Sequence, residues 1–169
     1  MPFTPFHFGP GAVLKGILPR HFSFTVFCFA NVVMDVEVLV LIAQGGERWH
    51  GYCHTYLGAA AVGVVSIVIG WPICQRFLRW WCSQPDVPLK EIYSFRPEIG
   101  PLAAITGGLI GTMSHILFDS VVHGDVRPLL PFSEKNPHYG LIGAGAAYGL
   151  CFAFGVLGAF LCARAAKKS

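Results

Sequence analysis

The sequence has few charged residues, and their scarcity excludes an ordinary water-soluble domain. Asp, Glu, Lys and Arg make up 12% of its 169 residues, while 54% are apolar and the mean hydropathy is +0.57. Soluble domains typically contain about 25% charged residues. The composition therefore indicates that lipid surrounds much of the chain, and the length suits a single domain over residues 1–169.

Three further absences narrow the class of protein. The six cysteines show no Cys-x-x-Cys spacing, so we interpret them as small core or lipid-facing residues rather than a disulfide framework. The net charge of only +3 comes from residues that flank apolar stretches, so we expect no nucleic-acid partner. The N-terminus lacks the charged region and cleavage site of a signal peptide, so we expect the mature chain to begin at or near Met1.

Four stretches are long and apolar enough to cross a bilayer core, which takes about 20 helical residues. They run from about Phe22 to Gln44, His54 to Cys74, Ile99 to His123, and Tyr139 to Arg164. A shorter stretch, Gly11 to Leu18, cannot span and is predicted to be an interfacial or re-entrant helix. The predicted fold is an all-α polytopic membrane protein with four transmembrane helices plus this short N-terminal helix.

The basic residues predict an orientation for these spans. With both termini inside, nine Lys and Arg residues lie on the inner side and three on the outer side. We therefore expect an integral protein, in a bacterial inner membrane, with an N-in and C-in topology. Small residues at helix-packing spacing, Ala59/Gly63, Gly107/Gly111 and Gly145/Gly149, predict close contacts between the helices.

Ionisable residues inside membrane spans are costly and usually functional, and here they recur at helical spacing. On the third span His115, Asp119 and His123 follow one another every four residues and so share one helix face. His115 to His123 covers about 12 Å of helix axis, so a carboxylate between them could bridge two metal ions.

The earlier segments supply matching residue types. Asn31 and Asp35 share a face of the first span, and Asp35 is the expected ligand there. Glu37 points away from Asp35 and could be a partner of a ligand or a catalytic acid or base. His50 and His54 are four apart, the spacing with which two imidazoles on one helix face hold one metal.

The N-in topology brings these residues to the same side of the membrane. Six of them fall in its outer half: Asp35, His50, His54, His115, Asp119 and His123. His7 precedes the first span, so we expect it to join the site only if the N-terminus is re-entrant. His21 and His138 are expected to be packing residues rather than ligands.

Other interpretations of the same residues stay open. An interhelical hydrogen-bond network or a proton pathway could use this set of side chains. Arg127 is either an interfacial anchor or a phosphate contact, and Asp125 either binds substrate or caps a turn.

Four segments of the chain resemble the YdjM-like family of predicted membrane-bound metal-dependent hydrolases. They read MPFTPFHFGPGAVLKG, ANVVMDVE, HGYCHT and GTMSHILFDSVVHGDVRPLLPFS. The His115-x-x-x-Asp119 motif, preceded by an early His, an Asp and a mid-chain His, is more distantly similar to the zinc-dependent phospholipase C and nuclease family. These resemblances imply five zinc positions, with Asp119 bridging and His123 a further ligand: His7, Asp35, His54, His115 and Asp119.

Mixed imidazole and carboxylate ligands suit Zn²⁺, with Mn²⁺ second, and disfavour Mg²⁺, which prefers oxygen. We therefore expect one or two zinc ions. We predict three sets of site residues: metal ligands His7, Asp35, His50, His54, His115 and Asp119; catalytic residues Asp35, Glu37 and His123; and substrate contacts Arg127 and Asp125.

The predicted activity is hydrolysis of a lipid phosphoester, such as a phospholipid or polyprenyl phosphate, by metal-activated water. One alternative is a metal-ion or proton transporter that uses the same cluster. Another is a structural membrane protein with zinc-pinned helices. The oligomeric state is left open.

Overall fold

The computed structural model describes residues 4–45, 48–85 and 97–167, and these residues contain helices but no strand. The α-helices are α1 (Phe8–Ile17), α2 (Phe24–Ala43), α3 (Tyr56–Val65), α4 (Trp71–Ser83), α5 (Pro101–Val122) and α6 (Ala144–Ala166). Short 3₁₀ turns cover Thr4–His7 and Tyr52–His54, and a π-helical segment, Ser66–Gly70, joins α3 to α4. Met1, where we expect the mature chain to begin, lies outside the described residues.

The four predicted spans are confirmed. Helices α2, α5 and α6 are each long and apolar enough to cross a membrane, and α3 and α4 form one such unit, Tyr56–Ser83, of 28 residues. The widened π-helical turn ends two residues before Pro72, which has no backbone N–H for a regular helical hydrogen bond. The helix thereby continues beyond Cys74, where the predicted span ended.

Local sequence signals set where these helices begin. The Ser23 hydroxyl accepts a hydrogen bond from the Val26 N–H at the start of α2, and the Thr55 hydroxyl accepts one from Gly58 at the start of α3. Helix α5 begins with Pro101, whose missing N–H costs nothing at a first helical position.

The short N-terminal helix packs lengthwise on α6. A Cβ atom on Gly9 would lie 1.9 Å from the Cys151 carbonyl oxygen, and one on Gly158 would lie 2.5 Å from Ala12. Both sequence positions increase together along this contact, so α1 and α6 run parallel. Helix α1 therefore starts part-way down α6 and follows it toward the other end of the bundle, as the re-entrant alternative requires.

Helix α5 lies between α2 and the α3 segment. A Cβ atom on Gly111 would lie 3.0 Å from the Phe27 carbonyl of α2, and one on Gly63 of α3 would lie 3.0 Å from the Thr112 hydroxyl. The predicted contacts at Gly107/Gly111 and at Ala59/Gly63 are thus present. Gly145 and Gly149 have nothing within 4 Å of an added Cβ, so that predicted pair is wrong. The close approach on α6 uses Gly158 instead.

The parallel course of α2 and α5 places their polar residues at one end of the bundle. Asp119 lies three residues, about 5 Å, before the end of α5, and Asp35 lies eight residues, about 12 Å, before the end of α2. The chain enters α3 at this same end. The shared direction of these helices therefore collects the acidic and imidazole side chains at one end of the bundle.

We predict that Gly9→Ala destabilises the protein and that Gly149→Ala does not. The added methyl on Gly9 must displace backbone of α6, and overpacking of this kind typically costs about 1–3 kcal/mol. The same change at Gly149 meets open space and removes a glycine from a helix. Thermal unfolding in detergent measures both variants; equal midpoints for Gly9→Ala and the unmodified protein would contradict the tight α1–α6 contact.

Candidate metal centre

The carboxylate of Asp119 is surrounded by imidazole rings from three separate segments of the chain. Its Oδ1 atom lies 3.3 Å from His7 Nε2 and 4.0 Å from His123 Nε2, and its Oδ2 atom lies 3.0 Å, 3.5 Å and 3.9 Å from Nε2 of His115, His54 and His50. All five rings thus present the same type of atom to one buried carboxylate. The expectation that His7 reaches the site agrees with this placement.

Asp35 completes a compact group on the Oδ2 side. Its Oδ1 atom lies 3.4 Å from His115 Nε2. One ligand atom from each of Asp35, His54, His115 and Asp119 can be chosen so that all four lie within 4.8 Å of one another, and all four residues are buried. Four donors at this separation can hold a metal ion.

Hydrogen bonds on the far side of the rings identify which nitrogen faces the centre. His54 Nδ1 donates to Glu37 Oε2 at 3.0 Å, and His50 Nδ1 donates to Asp125 Oδ2 at 2.9 Å. We assign these tautomers because a carboxylate can only accept. With Nδ1 carrying the hydrogen of a neutral ring, Nε2 offers its lone pair to the centre.

His115 is oriented in the same way by an amide. Its Nδ1 atom lies 3.1 Å from Asn31 Oδ1, while the Asn31 amide nitrogen donates to the Phe27 carbonyl at 2.8 Å. Because the amide nitrogen is committed to Phe27, its oxygen must accept, and His115 Nδ1 is the donor. His115 Nε2 therefore also directs a lone pair at Asp119.

The inner nitrogens of three rings test whether the site suits a metal. His50, His54 and His115 each have a buried Nε2 atom that makes no hydrogen bond, although each lies within 4 Å of Asp119. Buried lone pairs that face a buried carboxylate are costly alone and are satisfied together by a cation. The donor set therefore fits a divalent metal ion.

The loop before α3 is shaped to present His50 and His54. Glu37 Oε1 and Oε2 accept hydrogen bonds from the backbone N–H groups of Cys53 and Gly51, and a Cβ atom on Gly51 would lie 2.6 Å from that carboxylate. Their spacing predicted that the two histidines share a helix face, and that prediction is wrong. His50 lies in an irregular segment and His54 ends a 3₁₀ turn, and their ring centroids are 4.8 Å apart.

Two predicted acidic residues act on histidines. Glu37 contacts His54 and the loop backbone, which favours a positioning role over a catalytic one. Asp125 accepts from His50 and from the Trp49 N–H, which favours the same role over substrate binding. Burial raises the pKa of Asp125, but the hydrogen bonds from His50 and the Trp49 N–H outweigh it, and the pKa lies below its usual value. Asp125 thus stays an acceptor.

The remaining predicted residues lie at the margin or outside. His123 follows the last residue of α5, with its ring mostly buried and its pKa lowered chiefly by burial. Burial also lowers the pKa of His54, which favours the neutral ring that a metal requires.

Arg127 is ion-paired with Glu134, and His138 shares a hydrogen bond with Ser120, so neither contacts Asp119 among the described interactions. His21 is exposed beyond the other end of α5.

Asn31 is the functional residue whose role the sequence did not reveal. Its shared face with Asp35 indicated that it would lie near the site, but the spacing did not show that it orients His115. An amide at helical spacing from a membrane carboxylate is the signal that could have suggested it.

The fold and the cluster together define an integral membrane protein of four apolar helices with a buried His/Asp group able to hold a metal ion. Comparison with family models, curated proteins and solved structures found no match for this chain.

We predict that Asn31→Leu lowers metal affinity by about 10- to 100-fold, the usual effect of removing a partner that orients a metal-binding histidine. The leucine keeps volume but cannot accept from His115. Gln75→Leu is the control, since Gln75 accepts from Ile99 N–H and donates to the Pro97 carbonyl at the opposite end of the bundle. Isothermal titration of metal-stripped protein with Zn²⁺ measures both; equal losses in the two variants would make the effect one of general stability.

Proposed function

We propose that this protein is a membrane-embedded, metal-dependent hydrolase of the YdjM-like type, with zinc as its metal and a lipid phosphoester as its substrate. A phospholipid or a polyprenyl phosphate is the substrate class we favour. The observation that carries the proposal is the convergence of five imidazole Nε2 atoms on the Asp119 carboxylate. The resemblance in the segments around His7, Asp35, His54 and Asp119 supports it.

The two oxygens of Asp119 suit a bridging role. On the Oδ2 side, Asp35, His54 and His115 would complete the ligands of one ion. On the Oδ1 side, His7 and His123 would contribute to a second, and His50 lies between the sides, with its ring centroid 4.8 Å from those of His54 and His123. When bound, Zn²⁺ would lower the pKa of a water to about 7 and polarise a phosphoryl oxygen.

The protein groups then have separate tasks. Glu37, Asp125 and Asn31 fix the rings of His54, His50 and His115 and keep their protons on the outer nitrogens. We assign two tasks to the Asp35 carboxylate. It binds the metal, and its Oδ1 or Oδ2 atom accepts a proton from the attacking water. We assign the entry of water to the loop side, because Trp49 and Gly124 are exposed there.

The depth of the centre supports a lipid as substrate. Asp119 lies about 5 Å below the end of α5 and Asp35 about 12 Å below the end of α2, which is close to where headgroups meet hydrocarbon. A phosphoester that stays in its bilayer could reach that level. We propose that the protein lies in a bacterial inner membrane with an N-in and C-in topology, and that the centre lies in the outer leaflet.

The packing beneath the cluster favours an enzyme over the alternative, an ion or proton transporter. Toward the other end, α2 and α5 are in backbone contact: a Cβ on Gly111 would lie 3.0 Å from the Phe27 carbonyl, and one on Gly107 would lie 2.5 Å from the Ser23 carbonyl. The fully buried Val26 and Ala104 fill the same interface. A site with a packed base is suited to catalysis rather than passage.

We predict that purified protein holds zinc and that Asp119→Ala and His54→Ala lose most of it. Each variant removes a donor from the four-residue group, and Asp119→Ala also removes the group on which the rings converge. His21→Ala is the control, because His21 is an exposed histidine away from the centre. Elemental analysis of detergent-purified samples measures the metal; full occupancy in Asp119→Ala would contradict the site.

We predict that the metal-loaded protein cleaves a lipid phosphoester and that Asp119→Ala abolishes the activity. The measurement is phosphate or headgroup release from a panel of phospholipids and polyprenyl phosphates in detergent and in vesicles. Ion flux into protein-containing vesicles is measured in parallel. Flux without cleavage of any phosphoester, amide or ester would favour the transporter and overturn the hydrolase.

A further inference from the structure

A narrow crevice leads from the metal centre to the side of the bundle, between α5 and α6. Its floor is formed by His7 and Asp119, and its walls are formed by Phe118, Val122, Ala147 and Tyr148. The walls are apolar or aromatic, whereas the floor consists of two residues of the centre. The crevice therefore joins the candidate site to the surface that faces lipid.

The packing of α1 explains why this opening exists. Helix α6 makes its backbone contacts with α1, at Cys151 and Gly158, instead of with α5. The N-terminal turn then ends beside the crevice, where the Phe6 ring lies 5.1 Å from the Tyr148 ring and His7 meets Phe118 edge-on at 6.2 Å. Phe6 is 45% exposed, so this ring pair lies at the mouth.

The centre thus has two approaches of opposite character. The loop side is lined by His123 and the partly exposed Asp125, with His50 buried behind them. The crevice side presents hydrocarbon and aromatic rings. An amphiphile with a polar ester at one end of an apolar chain matches this division, because each part meets surroundings of its own polarity.

We propose that the crevice between α5 and α6 binds the hydrocarbon chain of the substrate, so that the chain enters sideways from the bilayer and the phosphoester stops at Asp119. This inference rests on the proposed function and assigns Ala147, Tyr148 and Phe118 as residues that select for the chain. The crevice now has a volume of about 10 Å³, room for about one water, so the Phe6 and Tyr148 rings must turn aside to admit a chain.

The first test compares two diesters that differ only in their chain, p-nitrophenyl methyl phosphate and p-nitrophenyl hexadecyl phosphate. Ala147→Phe fills the crevice, and we expect it to lower the ratio of kcat/KM for the hexadecyl ester to that for the methyl ester by roughly tenfold or more. Ala153→Phe is the matched control on the exposed surface of α6 and should leave the ratio unchanged. An unchanged ratio in folded Ala147→Phe overturns the inference.

Tyr148→Ala supplies a second variant in case Ala147→Phe does not fold. Loss of the ring widens the mouth, so the ratio of kcat/KM for a branched phytanyl ester to that for the hexadecyl ester should rise. An unchanged ratio here also counts against the crevice as the chain site.

A binding measurement separates failure of this inference from failure of the proposed function. The probe is hexadecylphosphonate with a diazirine on its chain, photolysed with the protein in nanodiscs. We expect crosslinks at Phe118, Val122 and Ala147 to Cys151 that excess hexadecylphosphonate removes and methylphosphonate does not. Crosslinks confined to other helices overturn the crevice even if esters are cleaved; crosslinks in the crevice without cleavage of any ester retain the chain site and overturn the hydrolase.

Discussion

A carboxylate held inside a bundle of apolar helices is the constraint on which this structure depends. Asp119 lies 5% exposed, where an unpaired negative charge is expensive. Five imidazole rings surround this carboxylate. They come from the N-terminal turn, from the loop before α3, and from α5 with the residue that follows it. Neutral imidazoles alone do not balance that charge, whereas a cation shared between them does. The cluster is therefore best understood as a set of ligands.

The surroundings of the rings extend the same logic outward. The rings of His115, His54 and His50 each donate a hydrogen bond to a side-chain acceptor. Each acceptor is in turn hydrogen-bonded to the backbone: Asn31 to the Phe27 carbonyl, Glu37 to the Gly51 and Cys53 N–H groups, and Asp125 to the Trp49 N–H. Loop and helix backbone thus fix the ring planes before any ion arrives. Such preorganisation limits the entropy lost when a ligand binds. The geometry of the centre therefore also depends on segments that are far from Asp119 in the sequence.

Much of this arrangement could be predicted from the sequence. Long apolar runs located the four spans, and the spacing of His115 and Asp119 on one helix face placed them together, because both signals depend on helical geometry alone. The loop before α3 could not be predicted so well. His50 and His54 meet through a 3₁₀ turn held by Glu37, and that contact depends on tertiary hydrogen bonds. The crevice between α5 and α6 likewise exists because α1 packs against α6. The sequence of a single segment does not indicate that pairing of helices.

The pairing of α1 with α6 also bears on how the protein is assembled during translation. Helix α1 is made before the three spans that separate it from α6, yet its Gly9 and Gly16 fit closely against α6. Until that last helix is made, the N-terminal segment lacks the partner that holds most of its length. The four residues Asp35, His54, His115 and Asp119 all precede α6 in the chain, so they can come together first, and His7 takes its place beside Asp119 last.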